Sequence, residues 1–285
     1  MQKIWVCGAR GQIGQAVNDV VDKLEFEMLD TDVDDLDVTD TDEVLRFGEM
    51  NRPDIIINCS GMTDISSCEE NPSQAFKVNA LGARNLAIVA AKMQAKMVQL
   101  STDDVFDGKS TEPYTEFDIT NPGTVYGKSK LAGENYVKEF TTKHFIVRST
   151  WVYGKGQNFI NGFLKKVDAG EQLSIASDQF GSPTSANELA RFLLHLVHTS
   201  EYGTYHATNK GVCSRYAFAQ EILKMTGKTA SMQPVPTVMS DFSKVRPAYA
   251  VLDNFIISMV PIYDFPDWQD SLREYLEERG LYHVE

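Results

Sequence analysis

Lys3-Ile4-Trp5-Val6-Cys7-Gly8-Ala9-Arg10-Gly11-Gln12-Ile13-Gly14 is an apolar run that breaks into three glycines, each three residues from the next. The residues that follow put Val17, Val20, Val21 and Leu24 on one helical stripe. Strand, glycine turn and helix, in that order, form the setting in which a turn can cradle a dinucleotide. Glycine permits the tight turn and lets a pyrophosphate approach the backbone at a helix amino terminus, where free N–H groups favour negative charge. The spacing here is G-x-x-G-x-x-G rather than G-x-G-x-x-G, and the same physical logic applies.

Outward from the turn, Glu25 to Leu29 reads as a second strand ending in Asp30. An acidic side chain there meets an adenosine ribose, accepting from a free hydroxyl and repelling a 2′-phosphate. Arg10 pulls the other way, because a guanidinium in the turn can pair with that phosphate. NADPH or NADH therefore both stay open as cofactor. Asp37 to Glu43 reads as a loop entering a helix, and Pro53 to Cys59 as a strand covered on both faces. Ser60 and Gly61 then let a cofactor lie close. A helix over 75–96 carries Asn79, a further cofactor candidate, and the strand Lys96 to Leu100 runs into Ser101-Thr102-Asp103-Asp104.

Apolar strands alternating with amphipathic helices predict an α/β fold built on a doubly wound parallel sheet. Ligands of such sheets bind beyond the carboxyl ends of the strands. Gly8, Asp30, Ser60 and Thr102 each follow a predicted strand, so they share that edge. The regular alternation weakens after Phe145–Arg148. Residues 1–150 are expected to form the dinucleotide-binding domain, with returns around 185–205 and 247–253. Residues 151–285 are expected to form mainly a smaller C-terminal substrate lobe.

Tyr126 and Lys130, in Tyr126-Gly127-Lys128-Ser129-Lys130, lie four apart, hence one turn apart on one helix face. A nearby ammonium favours the phenolate, which draws a tyrosine from its usual value of about 10 towards working pH. Such a phenol can exchange a proton with a carbonyl/alcohol pair.

The net charge of −13 and the absence of a Lys/Arg block argue against nucleic acid and anionic membranes as partners. An anionic substrate then needs a local cation, for which Arg246 is the candidate. Cys7, Cys59, Cys68 and Cys213 are scattered, without a Cys-x-x-Cys pair. They predict a reducing, cytoplasmic setting and no metal. Glycine also comes too early for a signal peptide, and no apolar run approaches membrane-spanning length.

Several runs together carry a resemblance. Ser101 to Gly108, Val125 to Glu134, Trp151-Val152-Tyr153-Gly154 and Asp178 to Thr184 resemble the dTDP-4-dehydrorhamnose reductases, as do Arg246-Pro247 and Trp268. These belong to the extended short-chain dehydrogenase/reductase superfamily, whose sheet is Rossmann-like. The resemblance implies nicotinamide-dependent reduction of the C4 ketone of a dTDP sugar, with Thr102, Tyr126 and Lys130 as the catalytic set. It implies Gly8, Gly11, Gln12, Ile13 and Gly14 at the cofactor phosphates, Asp37 and Val38 near the adenine, and Ser60 and Gly61 along the cofactor. Thr63, Ile65 and Trp151 would line the sugar pocket. Asp104 stands where the family usually has Tyr, which bears on substrate choice. Ala16 replaces a Glu that some relatives use in a magnesium-linked dimer, so a monomer or weak homodimer is expected. Alternatives are another nucleotide-sugar ketoreductase or epimerase, and a non-catalytic NAD(P)-binding regulatory homologue.

Overall fold

A computed structural model describes residues 1–239, 247–260 and 262–283. Its centre is a parallel sheet of six strands. They are β1 (Gln2–Cys7), β2 (Phe26–Thr31), β3 (Ile55–Asn58), β4 (Lys96–Thr102), β5 (His144–Ser149) and an edge strand, Gly203–His206. Across the sheet the order is edge strand-β5-β4-β3-β1-β2, so the direction of winding reverses between β1 and β3.

Both faces of the sheet are buried, which is why these strands read as continuous apolar runs. Successive side chains still alternate between two cores. Ile4 and Val6 join Ile55, Ile57 and Phe145 under the helices Gln12–Val20 and Ala186–Val197. Trp5 and Cys7 join Ile56, Met97 and Ile146 under the helices Thr41–Asn51 and Ala83–Met93. Asp40 caps the first of these by accepting the N–H groups of Asp42 and Glu43, each at 3.0 Å.

Two segments depart from the sequence reading. The second strand runs over Phe26–Thr31, and Trp5 pins its end by donating to Thr31 Oγ1 at 2.8 Å. The helix expected over 75–96 is three pieces: Pro72–Phe76, a wide π turn over Lys77–Gly82, and Ala83–Met93. The wide turn lets Asn79 point at neighbouring backbone while the flanking helices keep their apolar faces buried.

The helix Val125–Phe140 is bolted to the sheet by a buried ion pair. Arg148 of β5 forks onto Glu134, Nε to Oε1 at 2.9 Å and Nη2 to Oε2 at 2.7 Å. Ser101 of β4 donates to the same carboxylate at 2.5 Å. Glu134 has no exposed surface and Arg148 only 3%.

Apart from the helix Ala186–Val197 and the edge strand, much of the chain beyond β5 builds a lobe with its own core, in which Phe163, Ile175, Phe218, Trp268 and Leu272 meet. Its helices are Phe159–Asp168, Arg215–Thr226 and Trp268–Glu278. Tyr249–Ala250 joins the lobe by pairing with Phe180–Gly181. Among the described residues, no helix is long and apolar enough to cross a membrane.

Candidate active site

Thr124 opens the helix Val125–Phe140, its side chain accepting the Gly127 N–H at 3.0 Å. Tyr126 therefore stands in the first turn, 7% exposed and packed with Ile65, Cys68 and Ala75. Lys130 follows one turn later, 4% exposed. Burial draws its ammonium down to about 8, while the neighbouring Glu134 and Cys59 oppose that fall. The Lys130 Nζ lies 3.8 Å from where a Cβ on Gly61 would stand, so the ammonium reaches the loop after β3.

Thr102 is the last residue of β4 and caps a single 3-10 turn, Asp103–Val105, accepting from the Asp104 N–H at 3.2 Å. Its hydroxyl donates to the Asp103 carboxylate at 3.1 Å. Gly127 brings this turn against the Tyr126 helix. A Cβ on Gly127 would stand well under 3.0 Å from the Asp104 carbonyl, a backbone atom that cannot swing aside. Gly127→Ala should therefore push the helix off Thr102–Asp104. The expected result is a loss of about 1–3 kcal/mol, as for an overpacked core, with a fall in turnover. A thermal melt and a kcat measurement check both effects.

Beside this group, Gly8, Arg10 and Gly11 line a cavity of about 510 Å³ together with Asp37, Val38, Ser60 and Gly61. Gly8 has φ +76, and a Cβ there would press on the Ser60 amide at 2.7 Å. The turn thus needs glycine for both its conformation and its closeness to the β3 loop. The helix Gln12–Val20 starts here with Gly11 as N-cap and no side-chain cap, leaving its amino end to an outside acceptor. A glycine-walled cavity at an uncapped helix start, at the reversal point of the sheet, fits a pyridine dinucleotide.

Asp30 sits elsewhere than expected, and several other expected residues are engaged by the protein's own groups. Asp30 lies within β2, not after it, and its carboxylate accepts from Asn18 at 2.9 Å. The cavity corner belongs instead to Asp32, whose Oδ2 accepts the Arg10 N–H at 2.8 Å. The Arg10 guanidinium is held by Asp34 at 2.7 Å and Asp35 at 2.9 Å. Asn79 spends its carboxamide on the Met62 N–H and carbonyl and on Ser129, at 2.8–2.9 Å, so it ties the β3 loop to the Tyr126 helix. The Ser60 hydroxyl donates to Asn58 at 2.5 Å. Gln12 donates to the Gln157 carbonyl at 3.0 Å, and Ile13 packs into the core below β1. Gly14 closes the turn against the Gly8 carbonyl, where a Cβ would not fit.

Thr63 is exposed, two residues before Ile65, which belongs to the Tyr126 cluster. Trp151 holds a left-handed backbone, φ +46, an uncommon state for a bulky residue. Its ring is sandwiched between Gly181 and the Arg215 guanidinium, 3.4 Å from the ring centroid. Arg246 lies outside the described residues. Sequence reasoning missed Gly127, Asp32 and Arg215. Extending the second strand by two residues would have pointed to Asp32. A lone arginine in an amphipathic helix gave no signal for Arg215.

A family model described as RmlD substrate binding domain matches residues 1–280. The spore coat polysaccharide biosynthesis protein SpsK of Bacillus subtilis is 35% identical, over 98% of this chain and 99% of its own. A dTDP-4-dehydrorhamnose reductase from Clostridium acetobutylicum is similar in structure, with a TM-score of 0.95 and 40% identity over 98% of this chain and 100% of that one. So is the Bacillus anthracis dTDP-4-dehydrorhamnose reductase solved in complex with NADP, with a TM-score of 0.94 and 35% identity over 98% and 99% of the two chains. Sequence and architecture agree along the whole length, and the chain belongs to the RmlD substrate binding domain family.

Proposed function

We propose that the protein is an NAD(P)H-dependent oxidoreductase that reduces the C4 ketone of dTDP-4-dehydro-L-rhamnose to give dTDP-L-rhamnose. The observation that carries this reading is the placement of Tyr126 and Lys130 on one helix, pressed through Gly127 against the Thr102 turn, with Lys130 reaching Gly61 in the loop after β3. The reductases similar to this chain support the choice of substrate.

The bound dihydronicotinamide supplies hydride. Gly8, Gly11 and the amino end of the helix Gln12–Val20 would hold its pyrophosphate, and Ser60 and Gly61 its nicotinamide half. Tyr126 gives its phenolic proton to the alkoxide forming at the sugar C4. Thr102, once turned from Asp103, donates to the same oxygen. Lys130 stabilises the phenolate left behind, the ammonium being the charge that makes that state accessible. The lobe beyond residue 150 would close over the sugar, with Trp151 and Ile65 at its wall.

Asp104 favours a second reading within the same chemistry. A buried carboxylate beside Thr102, in place of a tyrosine, alters what the site offers a sugar hydroxyl. A related dTDP-4-ketosugar reductase would then be the better description. Cofactor oxidation followed with dTDP-4-dehydro-L-rhamnose, beside other 4-dehydro nucleotide sugars, tests both. Oxidation only with a different sugar selects the second reading, and no oxidation with any ketosugar removes the enzyme proposal.

A further inference from the structure

One wall of the glycine-lined cavity is formed by Arg10, Asp32, Asp37 and Val38. Arg10 is the one Lys, Arg or His among the described residues that line this cavity. A 2′-phosphate on an adenosine ribose there would look to this guanidinium for its partner. The guanidinium is already engaged. Its Nη1 donates to Asp34 at 2.7 Å, and its Nη2 donates to both oxygens of Asp35, at 2.9 and 3.1 Å. Asp35 is itself fixed, because it accepts the Asp32 N–H at 3.0 Å. Asp32 in turn accepts the backbone N–H of Arg10 and that of Val33.

We infer that this Arg10–Asp34–Asp35 clamp, with Asp32, selects a free adenosine ribose over a 2′-phosphorylated one, so that the protein prefers NADH to NADPH. The inference rests on the dinucleotide reading of the cavity. Each ion pair is exposed and weak alone, so Arg10 can let go of its partners. The outcome of letting go decides the preference. Asp34 and Asp35 would be left uncompensated beside a dianion, with Asp32 and Asp37 on the same wall. Two carboxylates of the cavity wall and the two released by Arg10 would then be set against one guanidinium. A free ribose hydroxyl meets no such opposition, since it donates to a carboxylate and leaves the clamp intact. The local balance outweighs the single cation that the sequence alone presents.

Reduced-nicotinamide fluorescence titrations, without sugar substrate, give Kd for NADH and NADPH separately. At low salt NADH should bind on the order of tenfold more tightly, and the gap should narrow as salt screens these exposed charges. Asp34→Asn combined with Asp35→Asn keeps the side-chain size and frees Arg10. This variant should gain about tenfold in NADPH affinity, and its NADH affinity should change less. Both side chains are exposed, and an unchanged melting temperature confirms that the variant is folded. Wild-type binding of NADPH as tight as that of NADH, or tighter, overturns the inference. So does a double variant whose ratio of affinities stays put. Those results leave the oxidoreductase reading standing, whereas binding of neither cofactor removes that reading and this inference together.

Discussion

Tyr126→Phe lowers kcat by about 10²–10⁴-fold and leaves cofactor Kd nearly unchanged, the range that one positioned proton transfer contributes. The substitution removes one oxygen from a ring packed with Ile65, Cys68 and Ala75. The apolar contacts persist, so a purely structural tyrosine would show wild-type turnover and an unchanged melting temperature. Stopped-flow turnover and a cofactor titration on the same sample separate the two cases. The pH profile adds a second check on the partner of the phenol. The ammonium of Lys130 is present below its value of about 8 and is lost above it. In the free enzyme, kcat/KM should therefore fall as pH rises through about 8.

Glu134→Ala is the second large effect, and it acts on stability. It strands the Arg148 guanidinium, 3% exposed, without its bidentate partner, and breaking a buried pair in this way costs about 3–5 kcal/mol. Denaturant unfolding measures the loss. Glu134→Leu combined with Arg148→Met removes both charges, and most of the stability should return. A double variant as unstable as the single one would show that packing, not the orphaned charge, sets the cost. The sign with pH follows from the direction of the shift. Burial raises the Glu134 carboxyl, but Arg148, Ser101 and Lys138 more than offset this, and the net value lies below that of an ordinary glutamate. The pair's contribution is therefore complete above the unfolded value of about 4.3 and disappears only as pH drops through the lower folded value.

The sheet was legible because its physics is local. A strand buried on both faces must be apolar throughout, and Ile55-Ile56-Ile57 announces this without tertiary information. The glycine turn was legible for the same reason. Asp30 was misplaced because strand ends are set by long-range pinning, here the Trp5 indole on Thr31, which no local pattern encodes. The π turn at Lys77–Gly82 likewise answers to distant partners, Met62 and Ser129. Gly127 looked like one more small residue, and its role depends on a carbonyl that sits 23 positions earlier, at Asp104. Arg10 shows the same limit from the side of charge. The sequence shows a cation in the turn, and only the folded chain shows Asp34 and Asp35 holding its guanidinium.

The π turn has a consequence for how this segment can change length. A regular helix advances about 100° per residue, and the wide turn accommodates one residue more than that spacing allows. Deleting one residue between Lys77 and Gly82 would restore ordinary helical winding and preserve the flanking apolar stripes. The same deletion would rotate Asn79 away from Met62 and Ser129 and cut the tether between the loop after β3 and the Tyr126 helix. The extra residue is thus a spacer whose loss the hydrophobic core would tolerate and the joint between these two segments would not.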